Sequence, residues 1–340
     1  MIIGIQPSKD SFSDRWIDYC EKTHIHWNPV NCYKSNIIEQ LSGCDALMWH
    51  FSQNSPKAIL FAKQLIYSLE TCGKKVFPNF HTCWHFDDKV GQKYLLETIS
   101  APLVSTWVFY NKNEAFEWAE KTGFPKVFKL RSGASSQNVR LVKTRQQAIK
   151  LISKSFGHGF PAYDPADSLK ERWRLYRLDK TNFRDLLEGV ARFAIPPPYA
   201  KVRGHERGYI YFQEFIADND SDVRVIVIGD KAFAIKRMVR ENDFRASGSG
   251  NILYDRSLFD ENTIRLSFTM ARKLKVQCVA FDFVYQGNQP LVVEISYGFS
   301  PAGYFSCPGY WDGEMNWHEG KFDPYGWMVE NLISSIQYKT

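Results

Sequence analysis

The chain has 340 residues, with 43 Lys and Arg against 37 Asp and Glu, and a formal net charge of +6. Hydrophobic residues at 44% and charged residues at 24% lie near the soluble globular average, which excludes a disordered or fibrous chain. The length suits two or three domains around a substantial core. No run approaches the ~18 consecutive apolar residues of a membrane-spanning helix. The opening residues, Met1 to Ile5, lack the basic region and long apolar run of a secretory signal. The mild basicity is spread along the chain, so it permits anionic ligands without forming a nucleic-acid stripe. Seven cysteines, an odd number with no Cys-x-x-Cys pair, favour neither a disulfide framework nor a zinc knuckle. A reducing cytoplasm is expected.

In chain order, residues 2–5, 25–27, 46–49 and 76–77 read as short buried strands separated by helices at 13–21, 36–41 and 56–73, with Ser13 a cap. That alternation predicts a small parallel sheet. Asp87 is expected to cap a helix carrying Val90, Tyr94 and Leu95, ended by Pro102. A strand at 106–109, a helix at 114–121 and strands at 127–130 and 139–142 follow, the last two joined by a polar loop over 131–138. Residues 156–208, punctuated by Pro161, Pro165 and Pro196 to Pro198, read as a basic, partly helical insertion. From Tyr209 the pattern is β: a strand at 209–216, then a hairpin of 223–228 with 232–239 turned by Gly229 and Asp230. A helix at 262–274 precedes a second hairpin, 279–285 with 291–296, across a loop of 286–290. The tail is rich in Gly and Trp and ends in a helix near 328–336.

The second hairpin carries the strongest chemical signal. Counting outward from its loop sets Asp282 opposite Glu294, and directly opposed residues have Cβ atoms roughly 4.5–5.5 Å apart. Two carboxylates at ~5 Å repel by about 3 kcal/mol at an effective dielectric near 20. Strands otherwise made of Phe281, Phe283, Val284, Val292 and Val293 would not hold them without a counter-charge. A divalent cation is the natural one, with Ser296 offering a further oxygen on the same face. A register one residue off would instead leave one carboxylate solvated and the other paired to an arginine. Lys129, inside the apolar strand Val127 to Leu130, needs an anionic partner. The loop from Ser132 to Asn138 offers hydroxyls and backbone N–H groups that can cradle phosphates, or it is a plain hairpin turn. In the first hairpin Asp222 and Arg224 share a face, and Lys236, Arg237, Arg240 and Arg245 cluster after the turn. This suits phosphate or carboxylate recognition, or a solvated basic face.

The order of these features is a lysine strand, a flexible loop, the apolar strand Gln213-Glu214-Phe215-Ile216, an Asp-x-Arg hairpin, a basic cluster and Asp…Glu-x-Ser. In this order and spacing the chain resembles the ATP-grasp superfamily, in its ribosomal-protein glutamate ligase-like branch, over about 77–299 without the insertion. The resemblance implies an α/β protein with two α+β lobes gripping ATP, preceded by a small Rossmann-like parallel-sheet subdomain. The expected boundaries are 1–82 for that subdomain, 83–216 for the small lobe with the insertion at 156–208, and 217–340 for the large lobe. It implies that Lys89 and Lys129 contact ATP phosphates and that the loop with Gly133, Ser135 and Ser136 closes over them. It further implies a hinge at Gln213, Glu214, Phe215 and Ile216 along the adenine edge, and Asp222 on the ribose. Arg237 and Arg245 would stabilise the transferring phosphate. Asp282, Glu294 and Ser296 would hold Mg²⁺ or Mn²⁺. Two positions depart from the family pattern. Ser296 stands where an asparagine is usual, and Ser136 and Asn138 stand where the phosphate loop usually has glycine.

The implied function is an ATP-dependent carboxylate–amine ligase in the cytoplasm, acting through an acyl-phosphate on small-molecule acids and amines, without nucleic acid or membrane insertion. The alternatives are a small-molecule or sugar kinase and a non-catalytic nucleotide-binding module. The tail, with Tyr297 to Pro301, Tyr310, Trp311, Trp317 and Trp327, resembles a branch associated with bacterial surface-polysaccharide gene sets. This implies an amino acid or amine joined to a sugar acid, with the aromatic residues lining an acceptor pocket or packing over the core.

Overall fold

The computed structural model describes residues 1–133, 138–179, 181–241 and 243–337. The first four strands are β1 (Ile3–Ile5), β2 (Trp27–Pro29), β3 (Ala46–Met48) and β4 (Lys75–Phe77), and they form a parallel sheet in the order β2-β1-β3-β4. β1 and β3 are buried at every residue, as strands covered on both faces by helices must be. The helix Phe12–Lys22 is capped by Ser11, whose hydroxyl accepts the Ser13 N–H at 3.0 Å; Ser13, the expected cap, is buried in the first turn instead. Phe12 and Trp16 of that helix pack with Ile3, Ile5 and Phe77 and with Met328, Val329 and Leu332 of the last helix, Pro324–Gln337. The tail thus returns to close the N-terminal core.

A second sheet is antiparallel. It comprises β5 (Thr106–Phe109), β6 (Lys126–Lys129) and β7 (Val139–Val142), with a later strand inserted between β5 and β6. A short ribbon, β8 (Phe160–Pro161) with β9 (His205–Glu206), closes the neck of a helical segment comprising Pro165–Arg177, Phe183–Ala191 and Pro198–Arg203. The inserted strand is β10 (Ile210–Glu214), giving the order β5-β10-β6-β7. The third sheet is built on β11 (Ser221–Ile228), β12 (Lys231–Met238), β13 (Ile252–Leu253), β14 (Cys278–Gln286), β15 (Gln289–Ser296), β16 (Gly309–Asp312) and β17 (Trp317–Glu319). Its order is β15-β14-β11-β12-β16-β17, with β13 beside β12. One face packs on the helix Glu261–Leu274 through Ile264, Phe268, Ala271, Val225, Val279 and Phe281; the other joins the N-terminal core through Ile226, Ile228, Phe233 and Ala280. Among the described residues no helix is long and apolar enough to cross a membrane.

The structure adds detail to the tail at two points. Tyr310 and Trp311 belong to a strand that extends the third sheet, which the glycine content of the tail concealed. Trp311 is buried against Phe259 and Trp317, and Trp327 stacks on Phe322, so these tryptophans take the second of the two expected places, packing over the core. Phe281 sits fully buried beside Asp282 at the centre of the third sheet. Phe281→Ala should lower the free energy of unfolding by about 3–5 kcal/mol, the usual cost of a large-to-small change in a packed core. Urea unfolding measures this; a loss below about 1 kcal/mol would contradict the packing described.

Candidate active site

A cavity of about 570 Å³ lies between the second and third sheets. Every sequence-predicted site residue outside 134–137 lines it, on both its lysine and carboxylate sides. Ser135 and Ser136 lie outside the described residues.

The carboxylate pair forms by a route that differs from the expected one. The hairpin turn is tight, with Gln286 opposite Gln289 and Tyr285 opposite Pro290, so the assumed five-residue loop is not there. A regular ladder from that turn would set Asp282 against Val293. A bulge between Asp282 and Phe283 on the paired strand absorbs one residue, so Phe283 faces Val292 and Asp282 faces Glu294. Two departures from the expected register cancel.

The counter-charge also differs. Arg224 lies directly opposite Asp282 across β11 and β14, and donates from Nε to Oδ1 at 2.5 Å and from Nη2 to Oδ2 at 2.6 Å. Arg237 reaches Asp282 Oδ1 at 3.1 Å and forks onto Asp222, its cross-strand partner, with two bonds of 2.6 Å. Burial alone would raise the Asp282 pKa, but Arg224 and then Arg237 hold it well below the usual carboxylate range. Glu294 pairs with Lys89 at 3.1 Å. The protein's own cations therefore neutralise both carboxylates, and the ladder needs no metal to form.

Lys89 opens the helix Lys89–Thr98 and is only 3% exposed. A cation at a helix N-terminus is opposed by the backbone dipole. Glu294 and the Gly133 carbonyl, which accepts from Nζ at 2.7 Å, compensate. Burial disfavours its charge, but Glu294 and then Asp87 keep its pKa above the ordinary lysine value. The cap of this helix is Asp88, which accepts the Gly91 N–H at 2.9 Å, and not Asp87. Asp87 instead sits at a φ of 56°, accepts the Gly133 N–H at 2.8 Å and pairs with Arg203 at 2.6 Å. It ties the start of the expected phosphate loop to the helical segment. At the loop's other end Asn138 takes a φ of 60°, a conformation asparagine tolerates.

Lys129 ends β6 and is buried, with Nζ donating to Gln213 Oε1 at 2.7 Å. Gln213 in turn donates to Thr106 Oγ1 at 3.1 Å, so its amide is fixed by the neighbouring strand. A neutral partner does not offset desolvation. Burial therefore pushes Lys129 down to about 8; Glu294 pulls it upward and Lys89 adds to the fall. At the hinge the Glu214 N–H already donates to Ser105 at 2.8 Å, so that group is not free for an adenine edge. The Glu214 carboxylate takes Lys126, at 2.9 Å to both oxygens. Phe215 and Ile216 continue along the wall. Arg245 pairs with Asp243 at 2.5 Å beside Phe244.

Oxygen donors are the right chemistry for a hard divalent cation. A carboxylate has about four lone-pair sites. Asp282 Oδ2 keeps one beyond its bond to Arg224, and Glu294 keeps those Lys89 does not use. The Ser296 hydroxyl bonds to Gly298, donating to its carbonyl at 3.0 Å. Among the described residues no group of three or more His, Cys, Asp or Glu is gathered for a metal. The residues therefore fit an ion bound through one or two carboxylates and completed by ligand oxygens.

Arg224, Lys126, Asp87 and Arg203 join the site beyond the expected set. Arg224 was signalled by its alternation with Asp222. The others had no signal, since their partners lie 46 to 116 positions away. Arg224→Met should destabilise the protein by about 2–3 kcal/mol, somewhat under the cost of a wholly isolated buried charge because Arg237 remains. Chemical denaturation checks this, and no measurable loss would contradict the network.

Residues 202–301 match the family described as RimK-like ATP-grasp domain. The chain is 21% identical over 181 residues to the alpha-aminoadipate–LysW ligase LysX of Saccharolobus solfataricus, covering 53% of this chain and about half the length of that relative. D-alanine–D-alanine ligase from Bacillus anthracis, solved in complex with ATP, superposes with a TM-score of 0.59 at 11% identity, over 100% of this chain and 99% of that one. A RimK domain ATP-grasp protein from Sphaerobacter thermophilus superposes with a TM-score of 0.55 at 14% identity, over 98% of this chain and 100% of the other. With the parallel-sheet subdomain, the two further sheets and the cation–carboxylate cavity in place, the chain has the ATP-grasp fold, and its residues 202–301 are similar to the RimK-like ATP-grasp domain.

Proposed function

We propose that this protein is an ATP-dependent carboxylate–amine ligase acting through an acyl-phosphate. The observation that carries the reading is the grouping of two buried lysines, three arginines and a ladder-paired Asp and Glu around one cavity, beside Gly133. The ATP held by the structurally similar D-alanine–D-alanine ligase supports it.

In this reading Lys89 and Lys129 hold the phosphates, and the Gly133–Asn138 loop, with Ser135 and Ser136, covers them. Gln213 orients Lys129; Glu214, Phe215 and Ile216 border the base, and Asp222 the ribose. An acid's carboxylate oxygen attacks the terminal phosphorus and ADP leaves. Arg237 and Arg245 stabilise charge on the transferring group and then on the acyl-phosphate. The amine attacks the acyl carbon, and phosphate departs as the amide forms. Water would hydrolyse the intermediate, so the loop and the helical segment serve to exclude it. Asp282 and Glu294, with Ser296, would hold Mg²⁺ or Mn²⁺, which supplies neutralisation of phosphate charge. The substrates are a small-molecule acid and amine, and a sugar acid with an amino acid is the first pair to test. Seven free cysteines, six of them buried, suit a cytoplasmic setting.

ADP release screened over acid and amine pairs, with products identified by mass spectrometry, tests the reading. An amide supports it; a phosphate ester assigns a kinase, and no ADP with any pair assigns a binding module. Glu294→Gln should lower turnover by at least ~10²-fold with the fold intact, given what a charge-stabilising group contributes. Near wild-type kinetics would remove Glu294 from the chemistry. Lys129 is charged below about 8 and neutral above it in the free protein. A bound phosphate favours the charged form, so ATP affinity should fall as pH rises through about 8. Titration calorimetry between about pH 7 and 9.5 checks this. Lys129→Met should weaken binding and flatten the profile, and an unchanged profile would contradict the assignment.

A further inference from the structure

The helical segment between β8 and β9 is engaged on its inner side. Glu171 accepts from Arg240 at 3.0 Å, Arg174 donates to the Gly248 carbonyl at 3.1 Å, and Arg203 pairs with Asp87 at the cavity wall. Away from these contacts it leaves large apolar side chains uncovered. Trp173, Phe183, Leu187, Val190, Phe193 and Ile195 are each more than half exposed.

The helix Phe183–Ala191 explains how this arises. It packs on Pro165–Arg177 along one narrow edge, where Leu186 and Gly189 are buried and a Cβ at Gly189 would come within 2.8 Å of Arg172. Phe183, Leu187 and Val190, spaced by four and three residues, occupy the adjoining stripe and meet nothing that buries them. The stripe continues through ring contacts from Phe183 to Tyr176 and from Tyr176 to Trp173. An uncovered stripe of this kind on a soluble domain marks an interaction surface.

The charges around it select the partner. Residues 165–207 contain ten Lys and Arg against six Asp and Glu. Arg177, Arg184 and Lys201 are exposed and make no ion pair among the described residues. A symmetric contact between two copies would set these cations against each other. An anionic lipid surface satisfies both features, since its acyl boundary takes the apolar residues and its headgroups take the cations. We propose that this face docks the protein peripherally on anionic lipid membranes.

The test is sedimentation of the full chain with vesicles of phosphatidylcholine containing about a third phosphatidylglycerol, and with pure phosphatidylcholine, at about 0.1 M NaCl. Binding is expected to the anionic vesicles and to be lost by about 0.5 M NaCl. Phe183→Ser/Leu187→Ser/Phe193→Ser and, separately, Arg177→Glu/Arg184→Glu/Lys201→Glu should each lower the partition coefficient at least about tenfold, with an unchanged thermal midpoint because every residue changed is exposed. The proposal is overturned if anionic vesicles bind no more protein than neutral ones, or if the apolar variant binds like the parent. It is overturned equally if light scattering finds a lipid-independent dimer that the same apolar substitutions dissolve, which assigns the face to a second copy.

Discussion

Asp282 is a partly buried carboxylate on an inner strand of a hydrophobic sheet, and its charge must be met by cations from the strands beside it. Arg224 and Arg237 do so from β11 and β12, and the geometry of both hairpins follows from that demand. The first hairpin sets Asp222 against Arg237, and the sheet sets Arg224 against Asp282. The bulge on the other side brings Glu294 level with Asp282, within reach of Lys89 at the start of the helix Lys89–Thr98. Shifting either register by one residue would turn a charge into the apolar layer of Phe281 and Phe283. The network thus ties the sheet's alignment to the composition of the cavity.

The cavity's cations are not equivalent. Arg224, Arg237 and Lys89 each have a carboxylate partner, whereas Lys129 has the neutral amide of Gln213. Burial therefore weakens the charge of Lys129 alone among them. In the proposed reading, a polyphosphate entering this space would give Lys129 its missing anion. For the arginines and Lys89 it competes with partners already in place. Anchoring of the loop follows the same logic: Lys89 and Asp87 hold Gly133 from both backbone directions, and Glu206 accepts the N–H groups of Arg131 and Ser132. The described start of this loop is thereby fixed.

Much of this was readable from residue order. Strands alternating with helices gave the N-terminal sheet, and charged positions in otherwise apolar strands singled out Lys129, Asp282 and Glu294, which the fold brings to one cavity. Register was only partly readable. The turn at Gly287 and Asn288 and the bulge at Val293 depend on packing across three strands, and a count along one hairpin arrived at the right pair through offsetting errors. The identity of the counter-charge was missed because Arg224 and Asp282 are 58 positions apart, and distance along the chain carries no sign of adjacency. The tail's strands went unread for another reason. Gly309 lies on a strand where a Cβ would collide with the His318 carbonyl, so glycine there serves a close backbone approach inside a strand.

The central claim is that the cavity's cations receive a nucleotide's phosphates. A crystal structure with a non-hydrolysable ATP analogue and magnesium measures it most directly. The account predicts phosphate oxygens at about 3 Å from the Lys89 and Lys129 ammonium groups, with the base along Phe215 and Ile216. Phosphates bound elsewhere, or a cavity that stays without nucleotide at saturating analogue while both lysines keep their present partners, would contradict it.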